Sequence, residues 1–365
     1  MIQMTSARGA LTLVSGVTLA LALSACSSSS TSSSSSEQPA AASSSAAASA
    51  AASTAAPASQ AAPLDGKIAY LSASSANTWL QASKAAMEEV GAASGLELVE
   101  FDAQFTPGVQ AKQIQDVIAA GDYDGIVIAA MDGAAIIPDL QAAMDAGLKV
   151  VVLNQIVGDK LDTADPQFEG ASASVLVPPL QSGTLLGQLA VDACKDQSPC
   201  NVVYFYGIKG TAIDTALKQG FDAAIAGNPD IKVVAEAEGQ YLGPDVALAA
   251  MQDVMQKEKD INVVVGSDQA MQGVELALTD AGTLDKTKVI GLGGSEAALA
   301  AVGAGKWFGD VYGAPYSEGQ LAMEAMVAAL TDGTVTGGVD PLQEFPNGGL
   351  ITAANVGDYT AQWAG

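Results

Sequence analysis

The chain has 365 residues and an acidic balance, with 40 Asp and Glu against 15 Lys and Arg, and it has no histidine. This length exceeds that of a usual single domain and favours two lobes, although alanine supplies much of the 49% hydrophobic content. The negative surface disfavours nucleic acid and anionic lipid as partners, and the lack of histidine excludes Ser-His-Asp and Cys-His catalysis.

The first 25 residues have the pattern of an export signal, because one arginine precedes an apolar run that ends in small residues. The stretch "LSAC" that follows resembles a bacterial lipobox, which predicts cleavage before Cys26 and lipidation of that cysteine. An ordinary signal peptide or a membrane span are the alternatives, and the apolar run is short for a span. Residues 26–63 are rich in Ser and Ala and predict a disordered tether. Arg8 is the single arginine, so the exported part has none.

From residue 67 onward, short apolar strands alternate with helices. The first half contains the strand and helix patterns "KIAYLSA", "NTWLQASKAAMEEVGAASG", "LELVEFD", "PGVQAKQIQDVIAAGD", "DGIVIAAM", "AAIIPDLQAAMDAG" and "LKVVVLNQ". After "VPPLQSG" the alternation restarts, and "INVVVGSDQAMQG" weakly repeats the pattern of "DGIVIAAMDGAA". This order predicts parallel sheets covered by helices on both faces, divided between two α/β lobes.

Besides Cys26, the chain has two cysteines, both in "DACKDQSPCNVV". Their close spacing in an exported protein predicts a disulfide between Cys194 and Cys200 at the end of a helix. A metal site would need four ligands, so we expect no metal.

Ligands of open parallel sheets bind beyond the carboxyl ends of the strands. The strand "VVL" ends there in the amide pair Asn154 and Gln155. We therefore expect the residues after each strand to line a cleft shared by the two lobes.

Between residue 67 and about residue 316 the chain resembles the type I periplasmic binding proteins, in particular the ribose-binding-like branch that serves sugar ABC importers. The resemblance lies in the opening "KIAYLSASSANTWLQASKAAMEEV", in "DGIVIAAMDGAAIIPDLQAAMDAGLKVVVLNQ", in "GSDQAMQGVELAL" and in "KVIGLGGSEAALAAVGAGKWFGDV". It implies two Rossmann-like lobes joined by a hinge of three crossings, which close on a solute. We assign residues 64–172 and about 314–340 to the first lobe, and residues 173–313 and about 341–365 to the second.

The resemblance also suggests site residues. Asn77 and Trp79 match the family's Asn and aromatic after the first strand, and Tyr241 stands where a second aromatic stacks from the other lobe. Several polar side chains that the resemblance implies for ligand binding are absent from this sequence. Asn154 and Gln155 replace an Asp-Arg pair, and Leu217, Ser267, Gly293 and about Gly313 replace an Arg, an Asn, an Asp and a Gln.

Each candidate has a simpler structural interpretation. Trp79 could be an ordinary core residue, and Tyr241 an exposed loop aromatic. Asp268 could be a cap or first-turn acid of a helix, and Asp214 a solvated first-turn acid. The candidate ligand-binding set is Asn77, Trp79, Asn154, Gln155, Asp214, Tyr241, Ser267 and Asp268.

The resemblance implies a monomeric solute-binding lipoprotein, anchored to the outer face of the cytoplasmic membrane through its lipid alone, that delivers a small neutral sugar or polyol to an ABC permease. It is expected to be no enzyme and to need no cofactor. The exported chain lacks arginine and histidine, which disfavours anionic ligands. The alternatives are a neutral nucleoside-like or aromatic solute, or a partner that presents its ligand to a membrane sensor.

Overall fold

The computed structural model describes residues 63–343 and 345–365. The expected signal peptide, Cys26 and the tether as far as residue 62 lie outside the described residues. Within the described ranges, no helix is both long enough and apolar enough to cross a membrane.

The first lobe is built on a fully parallel sheet with the strand order β11-β5-β4-β3-β1-β2. The strands are β1 (Gly66–Ser72), β2 (Leu96–Asp102), β3 (Gly125–Ile128), β4 (Lys149–Leu153), β5 (Ala173–Val175) and β11 (Gly337–Val339). Its helices are α1 (Thr78–Ser94), α2 (Pro107–Ala120), α3 (Ile137–Asp145) and α9 (Pro315–Thr331).

Alternating side chains of the central strands enter two separate cores. In β1, Ile68 and Tyr70 pack with α1 and α9, whereas Ala69 and Leu71 pack with α2 and α3. A period of two with both faces apolar is the pattern of a sheet covered on both sides, which explains the continuous apolar runs of β3 and β4.

The second lobe repeats this plan with the strand order β12-β10-β9-β8-β6-β7, in which only β12 runs antiparallel to its neighbour. The strands are β6 (Cys200–Tyr206), β7 (Ile231–Glu238), β8 (Val263–Val265), β9 (Lys288–Gly293), β10 (Gly309–Tyr312) and β12 (Leu350–Thr352). The helices are α4 (Pro179–Ala193), α5 (Ala212–Ile225), α6 (Pro244–Lys257), α7 (Asp268–Asp280) and α8 (Glu296–Gly303). The predicted α/β fold with two parallel-dominated sheets is confirmed.

The chain passes between the sheets three times, after β5, after β10 and after β11. One expected boundary is wrong by a few residues. Residue 173 was assigned to the second lobe, but Ala173–Val175 pairs with β4 and β11 of the first sheet. This strand is only three residues long, too short for its apolar pattern to show which sheet it would join.

Cys194, directly after α4, forms a disulfide with Cys200 at the start of β6, and their Cα atoms are 5.7 Å apart. The bond therefore ties the end of a helix to the strand that follows it.

Helices α4 and α5 approach each other through glycines. A Cβ atom on Gly183 would lie 2.0 Å from the carbonyl oxygen of Leu217, and one on Gly220 would lie 2.1 Å from that of Leu180. Both distances are far below van der Waals contact, so the two helix backbones can pack this closely only because these positions lack side chains. The contact fixes where α5, and with it Leu217, meets the cleft.

We predict that Gly183→Ala lowers the free energy of unfolding by about 2 kcal/mol, because the added methyl group forces α4 and α5 apart. Urea denaturation would show this as a lower midpoint with an unchanged slope. Gly108→Ala is the matched control, since Gly108 is also helical but has no atom within 4 Å of the added Cβ. Equal stability of the two variants would contradict the close helix contact.

Candidate functional site

A cavity of about 110 Å³ lies between the lobes, at the carboxyl ends of their strands. Six of the eight candidate residues line it. They are Asn77, Trp79, Asn154, Gln155, Tyr241 and Ser267. The other two, Asp214 and Asp268, do not.

Trp79 lies in the first turn of α1 and forms part of the cavity wall. Its indole Nε1 donates a hydrogen bond of 2.8 Å to Oε2 of Glu318, in the first turn of α9. The Nδ2 of Asn154 donates to the same oxygen at 3.1 Å. Three elements of the first lobe, α1, α9 and the end of β4, therefore meet at one carboxyl group.

Glu318 lines the cavity but is only 1% exposed. Burial raises the pKa of its carboxyl to about 7, against the opposing effect of the hydrogen bonds from Trp79 and Asn154. Within the described residues, the lining of the cavity contains no lysine and no acid other than Glu318. Glu318 is therefore the single charged side chain of the lining.

The amide side chains of Gln155 and Asn154 form a chain of hydrogen bonds that ends at this carboxyl group. Gln155 Nε2 donates to Asn154 Oδ1 at 2.9 Å, and Asn154 donates its own amide N–H to Glu318. Asn154 has a φ of 62°, a left-handed conformation that Asn tolerates better than most residues. The protein therefore uses both ends of the Asn154 amide.

Asn77 connects the two lobes. Its Oδ1 caps α1 by accepting from the backbone N–H of Leu80, and its Nδ2 donates to the backbone oxygen of Tyr241 across the cleft at 2.9 Å. One side chain thus starts a helix of the first lobe and holds a loop of the second.

Tyr241 lines the cavity opposite the first lobe, with its ring against Gly207, where a Cβ atom would lie 1.7 Å from the ring. Its hydroxyl group donates to Asp214 Oδ1 at 3.1 Å. Burial raises the pKa of the Tyr241 hydroxyl well above its ordinary value, and the negative charge of Asp214 adds to the rise.

The expectations for Asp214 need correction. It is 1% exposed, so it is not a solvated acid, and its carboxyl is held within the protein. Besides Tyr241, it accepts from the backbone N–H groups of Gly207 and Ile208 at 2.6 and 3.0 Å and from the Thr211 hydroxyl at 2.9 Å. Burial raises its pKa in spite of these four donors. Asp214 thus positions Tyr241, and it does not line the cavity itself.

Asp268 is likewise placed away from the cavity. Ser267 caps α7 by accepting from the backbone N–H of Ala270, and it is Ser267 that lines the cavity. Asp268 is completely buried as a first-turn acid, and its Oδ2 accepts from the backbone N–H of Ser295 at 2.8 Å. Sequence reasoning proposed a ligand contact for both residues of this helix start, and of the two only Ser267 lines the cavity.

Asp268 forms a carboxyl pair with Asp310, whose Oδ2 accepts from the backbone N–H of Gly294 at 3.1 Å. The other oxygens of the two groups both lie next to Gly291, where a Cβ atom would be 2.6 Å from Asp268 Oδ1 and 3.0 Å from Asp310 Oδ1. Burial raises the pKa of both groups, to about 6 for Asp268, and the charge of Asp268 raises that of Asp310 further. We conclude that the pair shares a proton, because two buried like charges repel strongly.

Sequence reasoning missed Glu318 and Ser182, and it expected Gln269 at the cleft but left it out of the candidate set. These three residues line the cavity with the apolar side chains of Phe105, Leu217, Leu292 and Tyr312. One feature of the sequence could have identified Glu318 as a candidate. The helix pattern of "PYSEGQLAMEAMVAAL" puts it on the same face as Ala322, Ala325 and Met326, all of them buried. An acid on an otherwise apolar helix face requires a partner, and that requirement marks it as a candidate.

Within residues 63–343 and 345–365, no group of three or more Cys, Asp or Glu side chains is arranged to hold a metal ion.

The sequence profile of the periplasmic binding protein domain matches residues 68–334, which is most of the chain. The chain belongs to this family. It is therefore a solute-binding protein that works outside the cytoplasm, and not an enzyme. The resemblance inferred from the motifs is confirmed.

Curated relatives are distant. The galactofuranose-binding protein YtfQ of Escherichia coli is 27% identical over 181 residues, which are 50% of this chain and 54% of that protein. The chain thus spans about half the length of this relative. The xylitol-binding protein of Mycolicibacterium smegmatis is 24% identical over 284 residues, 77% of this chain and 75% of that protein.

Solved structures share the fold over greater lengths. An ABC transporter solute-binding protein from Mycobacterium smegmatis with bound glycerol superposes with a TM-score of 0.70 and 27% identity, over 82% of this chain and 99% of that one. One from Bacillus halodurans with bound myo-inositol has a TM-score of 0.70 at 23% identity, over 82% and 98%.

Indole rings lie against Gly313 and Gly293, the two glycines at positions where the resemblance implies a Gln and an Asp. A Cβ atom on Gly313 would lie 2.3 Å from the Trp79 ring, and one on Gly293 would lie 2.6 Å from the ring of Trp363. Trp363 donates from Nε1 to the Gly293 carbonyl at 2.8 Å, and the two indoles meet edge to face at 5.4 Å. The glycines leave the volume that these rings occupy.

We predict that Asp310→Asn reduces the pH dependence of stability. The raised pKa values mean that the folded pair keeps a proton that the unfolded chain releases above about pH 4, so the wild-type free energy of unfolding falls from there up to the folded pKa values. The amide introduced by this substitution can accept from Gly294 and donate to Asp268 without that proton. At pH 8 the variant should be more stable than the wild type by about 1–2 kcal/mol, measured by urea denaturation.

The control is Asp280→Asn at the exposed end of α7, which should leave the pH dependence unchanged. A variant at position 310 that loses stability between pH 5 and pH 8 as steeply as the wild type would refute the shared proton. Glu318, with its own raised pKa, contributes to the slope of all three proteins equally.

Proposed function

We propose that the protein is the solute-binding lipoprotein of an ABC importer and captures a small neutral sugar or polyol between its lobes. The observation that carries this proposal is the pairing of Trp79 and Tyr241, aromatic residues of opposite lobes that line one cavity. Aromatic faces suit the C–H surfaces of a sugar or polyol, and amides and hydroxyl groups suit its oxygens.

The polar lining supports a ligand with several hydroxyl groups. Gln269 and Ser182 line the cavity, and within the described residues their side chains make no hydrogen bond. Their polar atoms are therefore available to a ligand. The relatives support the same class, since they are named for galactofuranose and xylitol and the solved neighbours hold glycerol and myo-inositol.

Charge argues against anionic ligands. Lys209, in the loop after β6, pairs with Glu236 at 2.6 Å and does not line the cavity, so it supplies no substitute for an arginine there. The single charged group of the lining is the Glu318 carboxyl, which repels an anion.

Closure of the lobes would couple binding to delivery. The hydrogen bond from Asn77 to the Tyr241 backbone spans the cleft, so opening the lobes breaks it. A ligand that touches both aromatic residues stabilises the closed form further, and the closed form is the one that a permease would recognise.

The N-terminal residues complete the proposal. Lipidation of Cys26 would anchor the protein to the outer face of the cytoplasmic membrane, and the Ser- and Ala-rich segment would let a monomer reach its permease.

A neutral nucleoside-like or aromatic solute is the second candidate. The apolar side chains of Phe105, Leu217, Leu292 and Tyr312 favour it, because they offer more apolar surface than a polyol needs.

We predict that a neutral polyol or sugar raises the melting temperature of the exported chain. Xylitol, myo-inositol, D-allose, galactose, uridine and sugar phosphates would be compared by thermal shift. At a hundredfold excess over its dissociation constant, the correct ligand adds about 2.7 kcal/mol to the stability. A response to sugar phosphates alone would contradict the neutral assignment, and a response to uridine alone would favour the second candidate.

We predict that Trp79→Ala weakens binding of the strongest ligand in that screen at least tenfold, since it removes one aromatic wall, a loss of about 1.4 kcal/mol or more. Isothermal titration calorimetry would measure the change. Tyr123→Ala is the control, because Tyr123 precedes β3 at the opposite edge of the sheet, against Phe101. Unchanged affinity of the Trp79 variant would show that this ring is only a packing residue.

A further inference from the structure

The Glu318 carboxyl has no ionic partner to explain its burial. A buried carboxylate is costly unless it is paired or hydrogen-bonded. Trp79 and Asn154 both donate to Oε2, the backbone N–H of Val177 donates to the same carboxyl group, and within the described residues Glu318 forms no salt bridge. The protein therefore surrounds this carboxyl group with three donors, all of them uncharged.

The protein contacts do not require the charge of Glu318. A glutamine has the same shape, and its amide oxygen could accept from both Trp79 and Asn154. An apolar residue would suit the rest of the helix face, where Ala322 and Met326 are buried in the core of the first lobe. The negative charge at the cavity wall has a use only toward something that the cavity holds.

The helix cannot move this side chain away from the cleft. The residue after Glu318 is Gly319, where a Cβ atom would lie 2.0 Å from the backbone oxygen of Ser83 in α1. This close approach of α9 to α1 fixes the first turn of α9, and the bonds from Trp79 and Asn154 fix the carboxyl itself. The acceptor is therefore preorganised before a ligand arrives.

We propose that Glu318 is the specificity-determining residue of the cavity and accepts hydrogen bonds from adjacent hydroxyl groups of a polyol. A carboxylate only accepts, so it attracts hydroxyl groups and repels an acceptor-only atom such as a ring oxygen. Alditols and cyclitols, in which every oxygen is a hydroxyl group, fit this wall better than sugars that turn a ring oxygen toward it. This inference rests on the proposed function and specifies its ligand class.

Glu318 brings an acid to the cavity from α9, whereas the end of β4 carries the amide pair Asn154 and Gln155. There, Asn154 supplies an amide that is used to hold Glu318 instead of the ligand. The acidic group thus comes from α9 and reaches the same cavity from a different element.

Protonation of Glu318 would remove its charge and turn one accepting oxygen into a donor, so binding should depend on pH. The titratable groups that act on Glu318 are Asp340, which follows β11 and raises its pKa, and the buried Tyr70 of β1. The other elements packed against it, α1, β4 and the segment after β5, present Trp79, Asn154 and Val177, none of which titrates.

Glu318→Gln tests the inference, with Glu324→Gln as the matched control, because Glu324 lies on the same helix but is exposed. Binding of xylitol and myo-inositol would be measured by isothermal titration calorimetry at pH 8. We expect the Glu318 variant to bind at least tenfold more weakly, since hydrogen bonds to a charged group are worth about 1.5–3 kcal/mol. The Glu324 variant should match the wild type within about twofold.

The pH profile keeps the inference testable if the Glu318 variant folds poorly. Wild-type affinity should fall at least about threefold from pH 8 to pH 5.5, as the carboxyl takes up its proton. Glu318→Gln should show no such fall, and Glu324→Gln should show all of it.

Three outcomes would overturn the inference. They are equal affinity of the Glu318 variant and the wild type, an affinity of the wild type that is the same at both pH values, and tighter binding of glucosamine than of every neutral polyol, which would make the group a site for cations. If the wild type binds none of the sugars or polyols, the proposed function fails, and that result is distinct from a wild type that binds them without using Glu318.

Discussion

The hydrogen bonds that Trp79 and Asn154 donate to one oxygen of Glu318 determine the geometry of the first lobe's side of the cleft. They join a helix that follows β1, a loop that follows β4 and a helix that enters from the second lobe. A carboxyl group buried at this junction is stable only while both donors are in place. The aromatic wall, the amide pair and the charge of the cavity are thus parts of one arrangement.

The second lobe uses its buried acids for structure. Asp214 gathers two backbone N–H groups, a hydroxyl group and the Tyr241 phenol, and so determines where the second aromatic wall stands. Asp268 and Asp310 hold the loop after β9 through its backbone N–H groups. These three acids thus hold backbone and side-chain groups around the cleft, whereas Glu318 is the acid that lines the cavity within the described residues.

At three positions where the family resemblance implies polar side chains, the chain has two glycines and a leucine. Gly313 and Gly293 leave room for the indoles of Trp79 and Trp363, which meet edge to face. Leu217 adds apolar surface where an arginine would add charge. The cavity is therefore lined mainly by apolar side chains, and within the described residues Glu318 is its single charged acceptor.

The amino-acid sequence alone determined the two parallel sheets, because apolar strands covered on both faces and amphipathic helices are local patterns. It also determined that Asn77, Trp79, Asn154, Gln155, Tyr241 and Ser267 stand at strand ends or helix starts, since the carboxyl edge of a parallel sheet faces the cleft. The short strand β5 was misassigned because three residues carry no pattern of their own sheet.

Only the tertiary structure decided which acids meet the cavity. Asp214 and Asp268 directly follow loops that face the cleft. Their side chains are nevertheless buried inside the second lobe, where their carboxylates accept hydrogen bonds from backbone N–H groups. Glu318 is 164 residues from Asn154 along the chain, and the two meet because α9 returns to pack on α1. Such a pairing depends on how helices dock, and no local pattern contains that information.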